Sequence, residues 1–199
     1  MAQTEALTGS STSSNLLTLV RQHDRDAWRR FVAIYAPLIY GWCRTASLGA
    51  ADSGDVTQEV FARVFVAINE FRHDRPGDTL RGWLRVICRN KLHDHFRRQA
   101  DRPLAAGGTS AQGRMANVPM CDDDEPTVVS ERHALARRAA ELVRGEFEPR
   151  TWQAFWITAV EGRTAAEVAE RLAMTAGAVR QAKYAVLRRL REELSGEFD

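Results

Sequence analysis

The sequence predicts an all-α fold, in which two small helical domains are joined by a flexible linker. Apolar residues recur at the three- and four-residue spacing of amphipathic helices over 15–102 and again over 130–194. Between these blocks, residues 103–129 carry prolines and glycines but no periodic apolar stripe, which is typical of a tether. Neither block contains a run of β-type alternation. Residues 1–14 are small and polar, and we expect a disordered tail there.

Composition and cysteine usage favour a soluble protein in a reducing cytosol. The net charge is only +2 over 199 residues, so the distribution of charge is more informative than its sum. Cys43, Cys88 and Cys121 show no metal-ligand spacing, which predicts free thiols and no metal site. The polar N-terminus lacks signal-peptide features, and no apolar run approaches the roughly 20 residues that span a bilayer. We therefore expect a cytoplasmic protein with no membrane contact.

The first block opens with short helices in series. Asn15 is a suitable N-cap for a helix over 16–22, because its side chain can accept a hydrogen bond from a first-turn amide. Aromatic and aliphatic residues at helical spacing predict a second helix over 27–35. Pro37 is expected to break or kink the chain at the preceding residue, so that a third helix occupies about 38–47.

A longer helix is predicted to begin at Asp55. Its apolar stripe consists of Val56, Val60, Val64 and Ile68, with Phe61 and Phe65 beside it. The acidic and polar side chains at its start are Asp52, Asp55, Gln58 and Glu59. Acids at a helix start complement its unpaired amides and its dipole. The same side chains could instead form an acidic contact surface for a protein partner, and the residues alone leave both interpretations open.

The helix predicted over 79–99 is basic along one side. Its basic side chains recur every four residues as Arg81, Arg85, Arg89, His93 and Arg97. They form a polar stripe opposite an apolar one that consists of Leu80, Trp83, Leu84 and Ile87. Such a stripe is usually only a solvated face. Here a second basic helix follows on the same tether, and two such surfaces fit bivalent contact with DNA.

The second block ends in a predicted helix-turn-helix. A helix from about Ser130 and another from Pro149, whose apolar face carries Trp152, Phe155, Trp156 and Ala159, precede it. Thr164 and Glu167 have the spacing of a capping box at the start of the next helix. Ala173 lies in the turn, where a glycine is common; a left-handed backbone at this position would cost an alanine about 1 kcal/mol.

The last helix is built to lie against phosphate. Its apolar residues Ala178, Val179, Ala182, Val186 and Leu190 share one side. The opposite side carries Arg180, Gln181, Tyr184, Arg188 and Arg191. From Arg180 to Arg191 there are five basic residues and no acidic one. Arg-rich terminal helices are also common as solvated faces, so this helix alone does not decide between DNA binding and a bare surface.

Three segments together resemble bacterial sigma factors of the extracytoplasmic-function (ECF) group, the group IV sigma-70-like factors that retain only regions 2 and 4. DVTQEVFARVF at 55–65 resembles the region 2 segment that docks on the β′ coiled coil of RNA polymerase. TLRGWLRVICRNKLHDHFRRQ at 79–99 resembles the segment that binds and opens the −10 promoter element. TAAEVAERLAMTAGAVRQAK at 164–183 resembles the region 4 helix-turn-helix that reads the −35 element. The linker and the 144–169 stretch look most like sigma factors of planctomycete-type bacteria.

The resemblance implies roles for particular residues. It assigns residues 15–102 to region 2 and 130–194 to region 4. Polymerase docking falls to Asp55, Gln58, Glu59 and Arg63. Contact with −10 DNA falls to Arg85, Arg89, Asn90, Lys91, Arg97 and Arg98. Contact with −35 DNA falls to Arg180, Gln181, Lys183, Tyr184 and Arg188.

Some positions depart from the family pattern or remain open. Many members carry a basic residue where this chain has Ala182, which puts the −35 sequence preference in doubt but not the docking in the groove. The loop 71–78 would correspond to the one that holds an extruded promoter base. Trp83 is favoured as a core residue over a stacking platform, and Phe71 is open. The acidic segment 121–125 could mimic nucleic acid in a polymerase channel, although a solvated spacer is the favoured interpretation.

The residues and the resemblance together predict a sigma factor that binds RNA polymerase core and directs promoter recognition, DNA opening and transcription initiation. The partners implied are polymerase core and promoter DNA, duplex and melted, with an anti-sigma factor as a further possible partner and with no cofactor. One rival is a stand-alone helix-turn-helix regulator that binds operators without polymerase. A hydrolase or metal-dependent nuclease is disfavoured because His93, Asp94 and His95 point to different faces of a helix.

Overall fold

The computed structural model describes residues 15–75, 77–100 and 125–197. Within these ranges the chain is all-α, as predicted, with no strand. The N-terminal block contains α1 (Leu16–Arg21), α2 (Arg25–Thr45), α3 (Ala50–Ala67) and α4 (Leu80–Ala100). The C-terminal block contains α5 (Glu125–Val143), α6 (Pro149–Ala159), α7 (Ala165–Arg171) and α8 (Ala176–Glu193). The predicted tail 1–14, residues 103–124 of the predicted linker, Cys121 and acidic residues 122–124 lie outside the described residues.

Side-chain caps fix where the first helices begin. The Asn15 carboxamide accepts a hydrogen bond from the Thr18 amide at 2.9 Å, which confirms the predicted start of α1. Asp24 caps α2 in the same way, since its carboxylate accepts from the Ala27 amide at 2.7 Å. Between the two helices His23 has a positive φ of 58°, which reverses the chain within a few residues.

The expected break at Pro37 is wrong, because Pro37 lies inside the continuous helix α2. A proline in a helix interior removes one hydrogen bond and crowds the preceding turn, at a cost of about 3 kcal/mol. Here the residues on both sides of it belong to one buried stripe, with Phe31 and Ile34 before Pro37 and Ile39 and Cys43 after it. Burial of that stripe in the core outweighs the local penalty of the proline.

The start predicted for the third long helix is also wrong. Helix α3 begins at Ala50, with Gly49 as an extended N-cap that contributes no side-chain hydrogen bond. Asp52 therefore lies in the first turn, and Asp55 lies in the second turn, beyond a capping position. The buried stripe reaches back to Ser53, so tertiary packing extends the helix one turn beyond the start that its acids suggested.

The two blocks share one hydrophobic core. Leu135 and Ala139 of α5 and Leu194 after α8 are buried in the cluster formed by α1–α4. Helix α5 begins at Glu125 rather than near Ser130, and it packs across α2. The predicted linker is therefore helical over its last residues, and the second block lies directly on the first within the described chain.

The helix-turn-helix has its own small cores and an anchored turn. Val168 and Val179 pack with Ile157 beneath it. Thr164 and Glu167 form both hydrogen bonds of the predicted capping box at the start of α7. Ala173 has a positive φ of 49°, which is the left-handed backbone conformation considered for this turn from the sequence. Arg150 of α6 donates hydrogen bonds to the carbonyls of Leu172 and Ala173, and these bonds hold the turn in place.

Candidate nucleic-acid interface

Helix α3 presents an exposed face of mixed acidic, polar and apolar character. Asp55, Gln58 and Arg63 are exposed on it, as a contact surface requires. Val66, one helical turn beyond, is 70% exposed, and Phe65 is 42% exposed beside it. The sequence predicted Phe65 to lie beside the buried stripe, but its ring packs only at the rim, with 5.1 Å between its centroid and that of Trp28. We call Asp55, Gln58, Glu59, Arg63 and Val66 the α3 face.

Glu59 joins the α3 face to the basic helix α4. Its carboxylate accepts two hydrogen bonds from the Arg98 guanidinium, at 2.8 and 3.0 Å. The ammonium of Lys91 lies 3.9 Å from the same carboxylate. The structure therefore brings one predicted polymerase-docking side chain together with two predicted DNA-binding side chains. Because these groups remain partly exposed, the pairs contribute at most about 1 kcal/mol and can be exchanged for a partner's charges.

Helix α4 divides into an exposed half and a covered half. Arg89, Asn90, Arg97 and Arg98 are exposed, and Lys91 is half-buried. Arg81 and Arg85 are buried, so the prediction of one continuous solvated basic row is wrong for its first two turns. The helical period places these two arginines on the same side as Arg89, but α5 covers them.

A single carboxylate holds both covered arginines. Arg81 donates to Oε2 of Glu131 and Arg85 donates to Oε1, each at 2.7 Å. The indole Nε1 of Trp42 donates to Oε1 as well, at 2.6 Å, and the Arg85 guanidinium lies over the Trp42 ring at 5.0 Å. The Glu131 side chain is only 11% exposed. Sequence reasoning missed this residue, because its partners lie 46 and 50 residues away along the chain.

The loop after α3 contributes its polar side chains rather than its aromatic ring. Phe71 is 2% exposed and packs in the core, with its ring centroid 5.5 Å from that of Trp83. Trp83 is half-buried against the same core, as expected for a packing residue. Arg21 donates a 2.7 Å hydrogen bond to the Phe71 carbonyl, which anchors the loop to α1. Arg72, His73 and Asp74 project from this anchored loop and are exposed.

Helix α8 displays the predicted recognition face. Arg180, Gln181, Tyr184 and Arg188 are all exposed, while Lys183 at the edge is half-buried. On the opposite side Val179, Ala182 and Val186 are buried against the rest of the C-terminal block. Thr175 caps the helix by accepting from the Ala178 amide at 3.1 Å. A capped, amphipathic helix thus presents arginine, glutamine and tyrosine together, the side chains suited to base edges and phosphates.

A groove on the C-terminal block was not predicted. It encloses about 620 Å³ and is lined by residues of α5, α6 and α7. Trp156, which the sequence placed on the apolar face of α6, is 40% exposed there and stacks on Trp152 with 6.3 Å between ring centroids. The helical period of α6 places Trp156 on the apolar face, so the sequence pattern could not show that its side chain is partly exposed.

The two described cysteines are structural. Cys43 and Cys88 are free and buried, and their Sγ atoms lie 3.9 Å apart between α2 and α4. The hydrogen bond with Cys43 and burial raise the pKa of the Cys88 thiol well above its usual range. Within residues 15–75, 77–100 and 125–197, no group of three or more His, Cys, Asp or Glu side chains is arranged to hold a metal ion.

Comparison with known proteins finds similarity to RNA polymerase sigma factors. Residues 31–102, which include α3 and α4, match the family described as Sigma-70 region 2. The chain is 28% identical to RNA polymerase sigma factor CnrH of Cupriavidus metallidurans over 159 residues. This aligned stretch covers 78% of this chain and 80% of that protein. The chain is thus similar to sigma-70-like factors of the ECF group, and the family match itself covers residues 31–102. Further ECF sigma factors are similar to it over most or part of their lengths.

Two of these sigma factors show how identity and aligned length differ between the relatives. ECF RNA polymerase sigma factor BldN of Streptomyces coelicolor is 24% identical over 183 residues, 90% of this chain and 66% of that protein. ECF RNA polymerase sigma factor SigW of Bacillus subtilis is 32% identical over 80 residues, 40% of this chain and 41% of that protein. Within the part of the chain that the structure describes, no helix is both long and apolar enough to cross a membrane.

Proposed function

We propose that this sigma factor directs RNA polymerase core to promoters through three separate surfaces. The α3 face docks on the polymerase, at the β′ coiled coil. Helix α4 and the loop after α3 bind the −10 element, and α8 reads the −35 element. The observation that carries the proposal is the presence, on one chain, of exposed basic side chains on α4 and on α8 together with an exposed acidic and apolar face on α3.

Reading of the −35 element is assigned to α8. An α-helix fits the major groove of B-DNA, where each base pair presents a distinct set of donors and acceptors. Arg180, Gln181 and Tyr184 lie near the start of the helix, as recognition residues do in helix-turn-helix proteins. Arg188 and Lys183 neutralise phosphates at the edges of the groove, which makes the affinity dependent on salt.

Binding of the −10 element is assigned to the exposed part of α4. Arg89, Lys91, Arg97 and Arg98 supply positive charge along one helix, and Asn90 supplies an amide for base edges. Removing a base from the duplex stack costs a few kcal/mol, so binding energy must offset it. The loop 71–75 offers Arg72, His73 and Asp74 for that purpose, while its buried phenylalanine holds the loop in place.

The chain contributes binding energy and performs no chemistry of its own in this account. Each surface binds weakly alone, and both DNA-reading helices gain effective concentration once the α3 face is held on polymerase core. The polymerase is the enzyme. The function places the protein in the cytoplasm, where polymerase core and the chromosome are found, and an anti-sigma factor would act by covering one of these surfaces.

Removal of the acids from the α3 face tests the docking role. We expect Asp55→Ala combined with Glu59→Ala to weaken association with polymerase core by about tenfold or more in a pull-down. The matched control is Asp26→Ala combined with Glu170→Ala, which removes the same charge from exposed positions elsewhere. Circular dichroism checks that both double variants keep the helical fold. Equal retention of core polymerase by the two double variants would contradict the assignment of the α3 face.

A further inference from the structure

Arg150 connects the first turn of α6 to the end of α7. Its Nε atom donates a 2.9 Å hydrogen bond to the carbonyl of Leu172, and its Nη2 atom donates to the carbonyls of Leu172 and Ala173. The last carbonyls of a helix have no partner within that helix, so they need donors from elsewhere. A cation at this end of a helix also complements the negative end of its dipole. Arg150 therefore caps α7 from a different helix.

The base of this connection is rigid. Pro149 occupies the start of α6, where its fixed φ suits the first helical turn. Further along the same helix, Trp152 and Phe155 are buried in one small core of the C-terminal block, and Ile157 is buried in another. Arg150 therefore extends from the helix around which the C-terminal block packs.

Helix α7 is lightly anchored. It is seven residues long and buries the side chain of Val168. A helix of two turns is not stable alone and takes its position from tertiary contacts. The capping box of Thr164 and Glu167 acts within α7, at its start, so it does not fix the opposite end of the helix against α6. The hydrogen bonds from Arg150 fix that end.

The turn that Arg150 contacts leads directly into the recognition helix. Ala173 has a φ of 49°, a conformation that an alanine rarely adopts, and Thr175 already caps α8. Because a helix rises 1.5 Å per residue, Arg188 lies about 18 Å along α8 from its start at Ala176. A change of about 10° between α7 and α8 would therefore move Arg188 by about 3 Å relative to α7, which is enough to break a hydrogen bond to DNA.

We propose that Arg150 is a positioning residue for recognition of the −35 element. It acts without contacting a base, by holding the turn at Leu172 and Ala173 so that α7 crosses the DNA backbone while α8 enters the major groove. The consequence for DNA rests on the proposed function, whereas the hold on the turn is a property of the free chain. Without Arg150 the turn samples other conformations, and a smaller fraction of molecules presents α7 and α8 at the angle that the groove requires.

Hydrogen exchange of the free full-length chain measures the hold on the turn. The Met174 amide donates a 2.8 Å hydrogen bond to the Ala169 carbonyl across the turn. We expect its exchange to accelerate by about fivefold or more in Arg150→Ala, because local opening becomes easier. Arg138→Ala, which removes an exposed arginine from α5, is the matched control and should exchange as the wild type does. Retained protection of the interior amides of α6 and α8 shows that the block remains folded. An unchanged rate at Met174 in Arg150→Ala would overturn the hold on the turn.

Promoter selectivity of the polymerase holoenzyme separates positioning from a direct contact with phosphate. The probes are a duplex promoter fragment that the wild-type holoenzyme transcribes and the same fragment with its −35 sequence scrambled. A phosphate contact supports binding to both probes, because it carries no sequence information. We expect Arg150→Ala to weaken binding to the intact fragment by about tenfold and to the scrambled fragment by less than about twofold. Equal loss on the two probes would assign Arg150 to a phosphate and refute the positioning role.

A second substitution tests whether the turn conveys the effect. Glycine adopts the left-handed backbone of position 173 without steric cost, so the turn then depends less on the arginine. We expect Ala173→Gly to restore most of the selectivity that Arg150→Ala loses, and a double variant with no recovery would contradict this path. A wild-type chain that forms no holoenzyme would contradict the proposed function instead, and exchange at Met174 would still decide whether Arg150 holds the turn.

Discussion

Ala173 illustrates how a single backbone conformation fixes the geometry of the recognition unit. Its φ of 49° lies in the left-handed region, which costs an L-residue about 1 kcal/mol or more. The turn is held in spite of that cost, because Arg150 donates hydrogen bonds to the carbonyls of Leu172 and of Ala173 itself. The angle between α7 and α8, and hence the approach of α8 to DNA, depends on this strained residue.

Relief of that strain is a prediction for stability. We expect Ala173→Gly to raise the free energy of unfolding by about 0.5–1 kcal/mol, because glycine adopts this backbone without steric cost. The matched control is Ala185→Gly in the middle of α8, where glycine lowers helix stability by about 1 kcal/mol. Thermal unfolding should move the melting temperature of the two variants in opposite directions. A decrease in both would contradict the strain assigned to Ala173.

At the scale of the element, α8 packs against the protein with one side and presents its basic and polar side chains on the other. Val179, Ala182 and Val186 attach the helix to the C-terminal block, and the exposed side carries the groups assigned to DNA. Ala182 is buried against the rest of the C-terminal block, so a lysine or arginine at this position would have to push the helix off its core. The arginines of the exposed side can therefore be removed without disturbing the fold.

Removal of two arginines from that side tests the recognition helix. We expect Arg180→Ala combined with Arg188→Ala to abolish protection of the −35 region in a footprint by the polymerase holoenzyme and to weaken promoter binding by tenfold or more. Arg137→Ala combined with Arg138→Ala, which removes the same charge from exposed positions of α5, should leave the footprint unchanged. An unaltered footprint in the α8 variant would count against the recognition role.

Local sequence patterns predicted which segments are helical better than they predicted where each helix begins and ends. The capping box at Thr164, the cap at Asn15 and the two faces of α8 follow from side chains that interact within a few residues, so the sequence contains the whole cause. Pro37 and the start of α3 were mispredicted because tertiary burial outweighs local preference there. Exposure of Asp55 and of the recognition residues was predictable from helical period alone.

At the scale of the whole molecule, the contacts between the blocks were beyond the reach of sequence patterns. Glu131 meets Arg81 and Arg85 over separations of 50 and 46 residues, and Glu197 meets Tyr35 over 162 residues. No periodicity connects such positions. The basic row of α4 therefore looked wholly solvated in sequence, although part of it is neutralised by a helix from the other block.

Residues 195–197 pack against the N-terminal block, and the stability of this contact depends on pH. Burial raises the pKa of Glu197 to about 7, against the opposing influence of Arg81 and Arg132 and of its hydrogen bond from Tyr35. Because the folded pKa is raised, the stability that this group adds is full below its ordinary pKa near 4.5 and is lost as pH rises through 7. The negative charge of the neighbouring Glu193 carboxylate, on α8, helps to raise the pKa of the Tyr35 hydroxyl.

We expect residues 195–197 to dock on the N-terminal block more tightly at pH 5 than at pH 8, by about 2 kcal/mol for a pKa shift of this size. The Leu80 amide donates a 2.8 Å hydrogen bond to the Gly196 carbonyl. Its exchange, measured across that range and corrected for the intrinsic pH dependence of exchange, reports the docking. Glu197→Gln should flatten the profile, and Glu170→Gln at an exposed position should leave it as in the wild type. A pH profile that survives Glu197→Gln would assign the effect to another group.

The most direct test of the central claim is reconstitution with bacterial RNA polymerase core on fragments of genomic DNA. The account predicts a stable complex of core with this chain and transcription from new, discrete start sites, both reduced by Asp55→Ala combined with Glu59→Ala. Specific binding of DNA by the free chain, with no association with core and no new start sites, would contradict it and identify a stand-alone helix-turn-helix regulator.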